Sequence, residues 1–249
     1  MRGTLQSIWP PDPSSLVSAD FLPLTLKGRY QKLLLRNHES QFLFKSYGVG
    51  DGPAKAAEIA AADILQILDR ERSVPVAEFT WEELSGTIQP YLADAHVISL
   101  SNICDDDSLL VKVLCRQVAD WTLSNHDAHI NHVLWEGRRP FFVDYGQAYK
   151  FFPHDVLSTD YYPNVSRQLE PVYNALHRSR SLTAHQKAAV LSAAARMSST
   201  FHDPVWELLR PFAVEKFDRI QDQEVFLVEV RKRVRDTEAT FEAFLKERG

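Results

Sequence analysis

The chain has 249 residues, of which 45% are hydrophobic and 24% charged, which provides a core for one globular unit and argues against wholesale disorder. The net charge of −5 and the pI near 6.0 argue against a nucleic-acid partner and against a polybasic membrane surface. There is no apolar run of about 18 residues and no apolar signal core near the start, so we expect a cytoplasmic chain without a transmembrane segment.

The first half of the chain alternates short β-prone runs with one helical run. Lys32–Arg36 and Gln41–Lys45 flank a polar turn and predict a hairpin. From Pro53 to about Leu68, apolar residues recur at helical spacing and predict a helix. Val76–Trp81 and Thr87–Leu92 predict two further strands.

The second half is mainly helical. Asp105–Ser108 is typical of a helix start, because carboxylates favour the positive end of the helix dipole, and a helical apolar pattern then runs to Trp121. Val133–Trp135 and Pro140–Val143 predict a second hairpin. Everything after about Leu169 is predicted to be helical.

Two details of this helical half are specific. Residues Thr183 to Gln186 match a capping box, and an apolar stripe from Ile220 to Leu245 predicts one last helix. Strands first and helices later favour an α+β protein, with a small β-rich lobe over residues 1–92 and a larger helical lobe over 93–249.

A polar cluster follows the long helix directly. It spans Asn125–His132, and the second strand of the next hairpin ends in Val143-Asp144-Tyr145-Gly146. Two carboxylates that a short hairpin holds, Asp127 and Asp144, can face one cavity. There, one can orient a hydroxyl nucleophile while the other binds a metal ion on phosphate oxygens.

This region resembles the catalytic region of atypical kinases: the HipA-like kinases, the phosphatidylinositol 4-kinases and the secretory-pathway casein kinases. Their shared pattern is an Asp, an apolar run, Asn-x-Asp-x-His, a short hairpin and Asp-x-Gly. The residues on this pattern are Asp120, Asn125, Asp127, His129, Asp144 and Gly146. The resemblance implies a protein-kinase-like two-lobed fold and phosphoryl transfer from ATP with Mg²⁺.

The same resemblance assigns roles to residues. In the catalytic loop, Asp127 is the catalytic carboxylate, and Asn125 and His129 belong to the same site, with His129 holding the loop. Asp144 is the metal ligand. The roles implied for the first lobe are a phosphate-binding Lys45, its partner Glu58, Gln89 on a hinge strand whose backbone binds adenine, and Gly28 in the phosphate loop.

The chain departs from the kinase pattern at two places. Gly28 is the only glycine in its loop, and the metal-binding Asn expected five residues after Asp127 is replaced by His132. Asn131 lies one residue earlier. We favour Asn131 as the second metal ligand because an amide oxygen suits Mg²⁺, whereas coordination by His132 would favour Mn²⁺.

Other functions stay open at this point. The departures are also compatible with a pseudokinase that binds nucleotide, and the spacing of His126, His129 and His132 is compatible with a zinc hydrolase. For a kinase, the preferred acceptor is a Ser or Thr hydroxyl of a protein or peptide. A small-molecule alcohol or an inositol lipid is the alternative, and the oligomeric state is undetermined.

Overall fold

A computed structural model describes residues 9–18, 29–70, 72–137, 139–153, 157, 171–200 and 203–247. Gly28, assigned above to the phosphate loop, lies outside these described residues. Within them, no helix has both the length and the apolar character needed to cross a membrane.

Most strands form one antiparallel sheet with the order β1-β2-β3-β5-β4. Its strands are β1 (Val17–Ser18), β2 (Lys32–Arg36), β3 (Gln41–Ser46), β4 (Ala77–Trp81) and β5 (Leu84–Pro90). The predicted β2–β3 hairpin is confirmed: the Asn37 side-chain oxygen accepts hydrogen bonds from the backbone N–H groups of Glu39 and Ser40, which closes the turn. The strand predicted at 87–92 lies earlier in the chain than predicted: β5 begins three residues before Thr87 and ends at Pro90.

The predicted first helix is confirmed as α1 (Gly52–Leu68). Its small apolar residues, among them Ala57, Ala61 and Ile64, are buried in the main core. Helix α1 packs against α6 (Asp203–Lys216) and also contacts β4 and β5, so it joins the sheet to the helical part of the molecule.

The remaining helices build the larger part of the fold. They are α2 (Leu100–Asp105), α3 (Asp107–Thr122), α4 (Val172–Ser179), α5 (Ala184–Thr200), α7 (Ile220–Arg235) and α8 (Thr237–Glu247). The carboxylate of Asp106 caps α3 by accepting from the Leu109 N–H at 3.0 Å. The predicted capping box is confirmed at α5, because Thr183 and Gln186 accept from each other's backbone N–H groups.

A second sheet of three strands lies beside α3. It has the order β6-β7-β8, with β6 (His96–Val97), β7 (Val133–Glu136) and β8 (Arg139–Phe142). The predicted β7–β8 hairpin is thus confirmed within one residue at each end. A short 3₁₀ turn, Ile130–His132, leads into β7.

The prediction of one last helix is wrong. The chain breaks at Asp236 into α7 and α8, and Ile220 is 74% exposed rather than buried. A helix end is favoured there because the last turn of α7 carries Lys232, Arg233 and Arg235, and cations stabilise the negative end of the dipole. Strands β1 and β6 and helix α2 were not predicted from the sequence.

Two hydrophobic clusters result from this arrangement. One face of the five-stranded sheet has its own cluster of Leu16, Leu35, Phe42, Phe44, Phe79 and Ile88, and the larger cluster includes α1 and the helices. Because side chains alternate along a strand, Phe42 and Phe44 of β3 point into the sheet cluster while Leu43 and Lys45 point to the other face. That other face meets α1 and the end of the β7–β8 hairpin, where the predicted site residues lie.

Candidate active site

Lys45 and Glu58 form a buried ion pair, as the resemblance implied. Lys45 is the next-to-last residue of β3 and Glu58 lies in the second turn of α1, and Lys45 Nζ is 2.6 Å from Glu58 Oε1. They are 4% and 1% exposed. Burial alone would lower the pKa of Lys45, but the carboxylates of Glu58 and Asp144 outweigh it and raise that pKa. Lys45 is therefore charged throughout the physiological range.

Two residues that the sequence analysis did not identify complete the hydrogen bonding of the Glu58 carboxylate. The hydroxyl of Tyr47 and the hydroxyl of Thr87 both donate to Glu58 Oε2, the latter at 3.2 Å. Gly86 allows β5 to lie close to β3 at this point, because a side chain at that position would collide with the carbonyl oxygen of Lys45. Glu58 is thus fixed by three donors, and its position determines that of Lys45.

Asp144 lies two residues after the end of β8, and its backbone has a φ of +66°, in the left-handed region that a non-glycine residue seldom occupies. This conformation brings Asp144 Oδ1 to 3.0 Å from Lys45 Nζ. Burial raises the pKa of Asp144, but the Lys45 charge and, less strongly, His132 outweigh it and hold that pKa well below its usual range. Because of this lowered pKa the carboxylate is ionised, and because it is about a third exposed, at 35%, it is accessible to a ligand.

Asp120 of α3 holds the loop 125–132, which contains Asp127. Asn125 donates from Nδ2 to Asp120 Oδ1 at 3.0 Å, and the Tyr173 hydroxyl donates to the other oxygen. Asp120 thus supports this loop from α3 through Asn125. Asn125 in turn accepts the backbone N–H of Asp127 at 3.3 Å. The loop conformation that presents Asp127 is therefore set by a chain of hydrogen bonds starting in the core.

Asp127 lies among imidazoles. His129 Nε2 is 3.8 Å from Asp127 Oδ1, and His132 Nδ1 is 2.8 Å from the Asp127 carbonyl oxygen. Burial raises the pKa of the Asp127 carboxyl and lowers the pKa of both His129 and His132. His129 is 7% exposed, and its backbone N–H donates to the Asp127 carbonyl at 2.9 Å, in keeping with a loop-holding role.

The structure brings His132, and not Asn131, to the carboxylate of Asp144, which the resemblance implies to be a metal ligand. His132 Nε2 is 3.6 Å from Asp144 Oδ2, whereas Asn131 is exposed on the 3₁₀ turn. The turn keeps the ordinary five-residue offset from Asp127, because the His132 N–H donates to the His129 carbonyl and its carbonyl accepts from Val143. This geometry runs against the expectation that the loop shifts to present Asn131.

The hinge assignment also has a definite place. Strand β4 pairs with β5 only as far as Ile88, so the backbone of Gln89 extends beyond the last β4 partner while it still pairs with Leu43 of β3. The backbone of Gln89 therefore has a partner on β3 but none on β4. Gly28 is not described and cannot be placed relative to it.

Lys32 is a further basic residue at this site that sequence reasoning missed. It lies directly opposite Lys45 in the β2–β3 pairing, so both side chains leave the same face of the sheet. Burial, and then the charge of Lys45, lower the pKa of Lys32. The signal was present in the sequence: counting back from the Asn37–Ser40 turn pairs Lys32 with Lys45.

His126 does not belong to the cluster that the zinc reading required. Its ring packs against Phe151, with 4.5 Å between centroids, and burial lowers its pKa to about 4. Among the described residues, the group whose ligand atoms lie within 4.8 Å of one another is instead Asp127, His129 and His132.

Comparison with solved structures identifies the fold. The crystal structure of the Helicobacter pylori proinflammatory kinase CtkA is similar, with a TM-score of 0.54, 12% identity, and coverage of 89% of this chain and 92% of that chain. This similarity confirms the predicted α+β, protein-kinase-like fold, with the five-stranded sheet in the small lobe. At 12% identity it shows the fold alone.

Two further solved structures align less well and carry no argument. They are HipA in a Shewanella oneidensis MR-1 complex with HipB and operator DNA (TM-score 0.44, 11% identity, 92% of this chain and 68% of that chain) and a choline/ethanolamine kinase family protein from Mesorhizobium loti (TM-score 0.32, 11% identity, 89% and 93%). No protein-family model matches the sequence, and no curated protein matches it.

Proposed function

We propose that this chain is an ATP-dependent phosphotransferase that moves the γ-phosphoryl group of ATP to a hydroxyl acceptor. The observation that carries the proposal is the position of Lys45 Nζ, 2.6 Å from Glu58 and 3.0 Å from Asp144. The Lys45 ammonium is held in place by one buried and one accessible carboxylate. It can therefore bind phosphate oxygens without a further loss of side-chain freedom. Phosphoryl transfer depends mostly on such positioning and charge stabilisation.

The donor set at Asp144 fits a divalent ion that arrives with phosphates. Mg²⁺ needs only one or two protein carboxylates, because water and phosphate oxygens fill its other positions, and Asp144 is ionised and partly exposed. When bound, the ion would neutralise charge on the transferring phosphate. His132, beside Asp144, is the second residue within reach, and its imidazole makes Mn²⁺ an alternative to Mg²⁺.

Asp127 is the residue proposed to orient the acceptor hydroxyl and accept its proton. Burial raises its pKa, which makes the carboxylate a better proton acceptor than an exposed aspartate. Asn125 fixes the backbone of Asp127, and His129 holds the same loop. Adenine would bind at the backbone edge of Gln89, and Gly28 would contribute to the phosphate loop.

The acceptor follows from the resemblance alone. The HipA-like character of the Asn125–His129 motif favours a Ser or Thr hydroxyl of a protein or peptide, and a small-molecule alcohol or an inositol lipid is the alternative. A second candidate function, nucleotide binding without transfer, is favoured by one specific observation: an imidazole stands where an amide oxygen would complete a Mg²⁺ site.

The decisive experiment measures binding and transfer separately. ATP binding is measured by calorimetry with Mg²⁺ and with Mn²⁺, and transfer is measured with γ-labelled ATP on a panel of peptides, alcohols and inositol lipids, with mass spectrometry of the products. We expect both binding and transfer, and loss of transfer in Asp144→Asn. Binding without transfer to any acceptor or to water would indicate the nucleotide-binding module, and no ATP binding would overturn the proposal.

A further inference from the structure

Three side chains of the catalytic loop converge in a way that phosphoryl transfer does not require. Asp127, His129 and His132 place one carboxylate oxygen and two imidazole nitrogens within 4.8 Å of one another. The two rings lie almost against each other, with 3.7 Å between their centroids and 37° between their planes. Two imidazoles and one carboxylate form a donor set typical of borderline transition metals rather than of Mg²⁺.

The hydrogen bonds at His132 define which of its nitrogens is available. Its Nδ1 is 2.8 Å from the carbonyl oxygen of Asp127, and a carbonyl can only accept, so Nδ1 carries the proton. The lone pair of the neutral ring is then on Nε2, which faces Asp144 Oδ2 at 3.6 Å. Metal-binding histidines are commonly oriented in this way, with a backbone carbonyl accepting from the other ring nitrogen.

His129 supplies an independent observation. It is 7% exposed, and its Nδ1 is buried without a hydrogen-bond partner among the described residues. A buried polar atom left unpaired in this way is uncommon and indicates a missing partner. The other nitrogen of this ring, Nε2, is 3.8 Å from Asp127 Oδ1, so the ring lies beside the carboxylate that would share the ion, and either nitrogen can be the ligand atom.

We propose that Asp127, His129 and His132 bind a divalent transition-metal ion of the Zn²⁺ class, and that its binding blocks phosphoryl transfer. Bonds of about 2.0–2.2 Å in a tetrahedral site place ligand atoms about 3.3 Å apart, so the side chains close by about 1.5 Å at most. Water completes the fourth position. The ion occupies the carboxylate of Asp127, which then cannot accept a proton from the acceptor. This inhibitory role rests on the proposed function, whereas the binding site does not.

Binding is tested without nucleotide. The full chain, freed of metal with a chelator, is titrated with Zn²⁺ in competition with a chromophoric chelator. We expect one ion per chain and at least a tenfold loss of affinity in His132→Asn and in His129→Asn, with wild-type affinity in the control His126→Asn. His132 is the less buried ligand, so its variant keeps the test valid should His129→Asn not fold. Failure of the wild type to bind one Zn²⁺, or wild-type affinity in His132→Asn, would overturn the site.

Inhibition is tested with buffered free Zn²⁺ at fixed Mg²⁺ and ATP, each protein being compared with itself without Zn²⁺. We expect wild-type turnover to fall with the same midpoint as binding and His132→Asn to require at least tenfold more Zn²⁺. Unchanged turnover at saturating Zn²⁺ would overturn the regulatory role. Zn²⁺ binding by a chain that neither binds nor turns over ATP would leave the metal site standing and overturn the proposed function instead.

Discussion

The candidate site has two sides, called here the upper and the lower wall, and their polar groups are satisfied differently. The upper wall, formed by Lys45 of β3 and Glu58 of α1, is buried, and Glu58 accepts from Lys45, Tyr47 and Thr87. The lower wall, formed by the loop 125–132 and Asp144, has carboxylates that are about a third exposed and one imidazole, that of His129, with a nitrogen that has no hydrogen-bond partner among the described residues. The upper wall has its partners within the protein, whereas the lower wall has donor atoms left for a ligand.

Asp144 connects the walls, so its replacement should have the largest effect. In Asp144→Asn, the metal ion loses its one ionised oxygen ligand while Lys45 keeps Glu58. We expect phosphoryl transfer to fall by about 10³-fold, since one preorganised charge-stabilising group contributes up to about that much. The measurement is initial-rate transfer from labelled ATP. Circular dichroism of the variant should be that of the wild type, and transfer at the wild-type rate would show that Asp144 does not bind the metal.

Within the upper wall, Lys45 should be more important than Glu58. Lys45→Ala removes the cation that faces phosphate, for an expected loss of about 10²-fold, while Glu58→Ala, which only releases Lys45, should cost about 10-fold. The double variant should lose less than the product of the two single losses, because the two residues act as a unit.

Stability provides the control for this cycle. Removing one partner of a buried ion pair costs about 3–5 kcal/mol, so the fraction folded must be measured by denaturant titration for each variant. Lys55→Ala on the same helix breaks an ion pair whose other partner, Glu78, is exposed, and it should cost little. Fully additive losses of rate for Lys45 and Glu58 would mean that the ion pair does not work as one group.

The upper wall was the more predictable of the two. The resemblance to atypical kinases singled out Lys45 and Glu58, while the hairpin and the helical spacing of α1 predicted the strand and the helix that carry them, because strand pairing and helix periodicity are local properties of the sequence. The capping box at α5 was predictable for the same reason. Tyr47 and Thr87 were not found, because their contacts with Glu58 depend on how α1 packs across the sheet.

The lower wall depends on long-range geometry. Ligand preference alone favoured Asn131, but the 3₁₀ turn Ile130–His132 and its bond to Val143 bring His132 to Asp144. The break between α7 and α8 was missed because the apolar pattern continues through it, although each helix packs separately. Proximity of Asp127, His129 and His132 could be suspected from spacing, but His126 has the same spacing and lies elsewhere.

The choice between Asn131 and His132 tests the lower wall directly. Given the observed geometry, we expect His132→Ala to reduce Mg²⁺-supported transfer by about tenfold or more and Asn131→Ala to leave it near the wild-type rate. The wild type should also work better with Mn²⁺ than with Mg²⁺, because imidazole suits Mn²⁺ better. A larger loss in Asn131→Ala, without a Mn²⁺ preference, would return the second metal position to Asn131.

Replacement of Lys32 tests whether the upper wall has a second cation that binds phosphate. Two lysines directly opposite each other on one sheet face repel, and an anion bound between them would relieve the repulsion. We therefore expect Lys32→Ala to raise the KM for ATP by about tenfold, or 1.4 kcal/mol, with a smaller effect on kcat. Arg36→Ala, at the exposed far end of the same strand, is the matched control. An equal effect of the two variants would reduce Lys32 to a general contribution to surface charge.

The smallest effect is expected behind the lower wall, where Lys216 of α6 holds the segment that follows Asp144. Its ammonium donates to the carbonyl oxygens of Tyr149 and Lys150, and burial lowers its pKa to about 8. An unfolded lysine keeps its proton to about pH 10.4. Between these values the unfolded chain binds more protons, so Lys216 makes the free energy of unfolding rise with pH.

The test compares wild type with Lys216→Met by denaturant titration from pH 7 to pH 10. Below about pH 7 both states hold the proton, so the difference between the two proteins should be constant. From pH 8 to pH 10 it should change in favour of the wild type by about 1 kcal/mol, a value reduced for the partial exposure of the side chain. Parallel curves across this range would mean that the two carbonyl groups hold the ammonium charged in the folded protein. In that case the lower wall would be anchored by a permanent cation, as the upper wall is by Lys45.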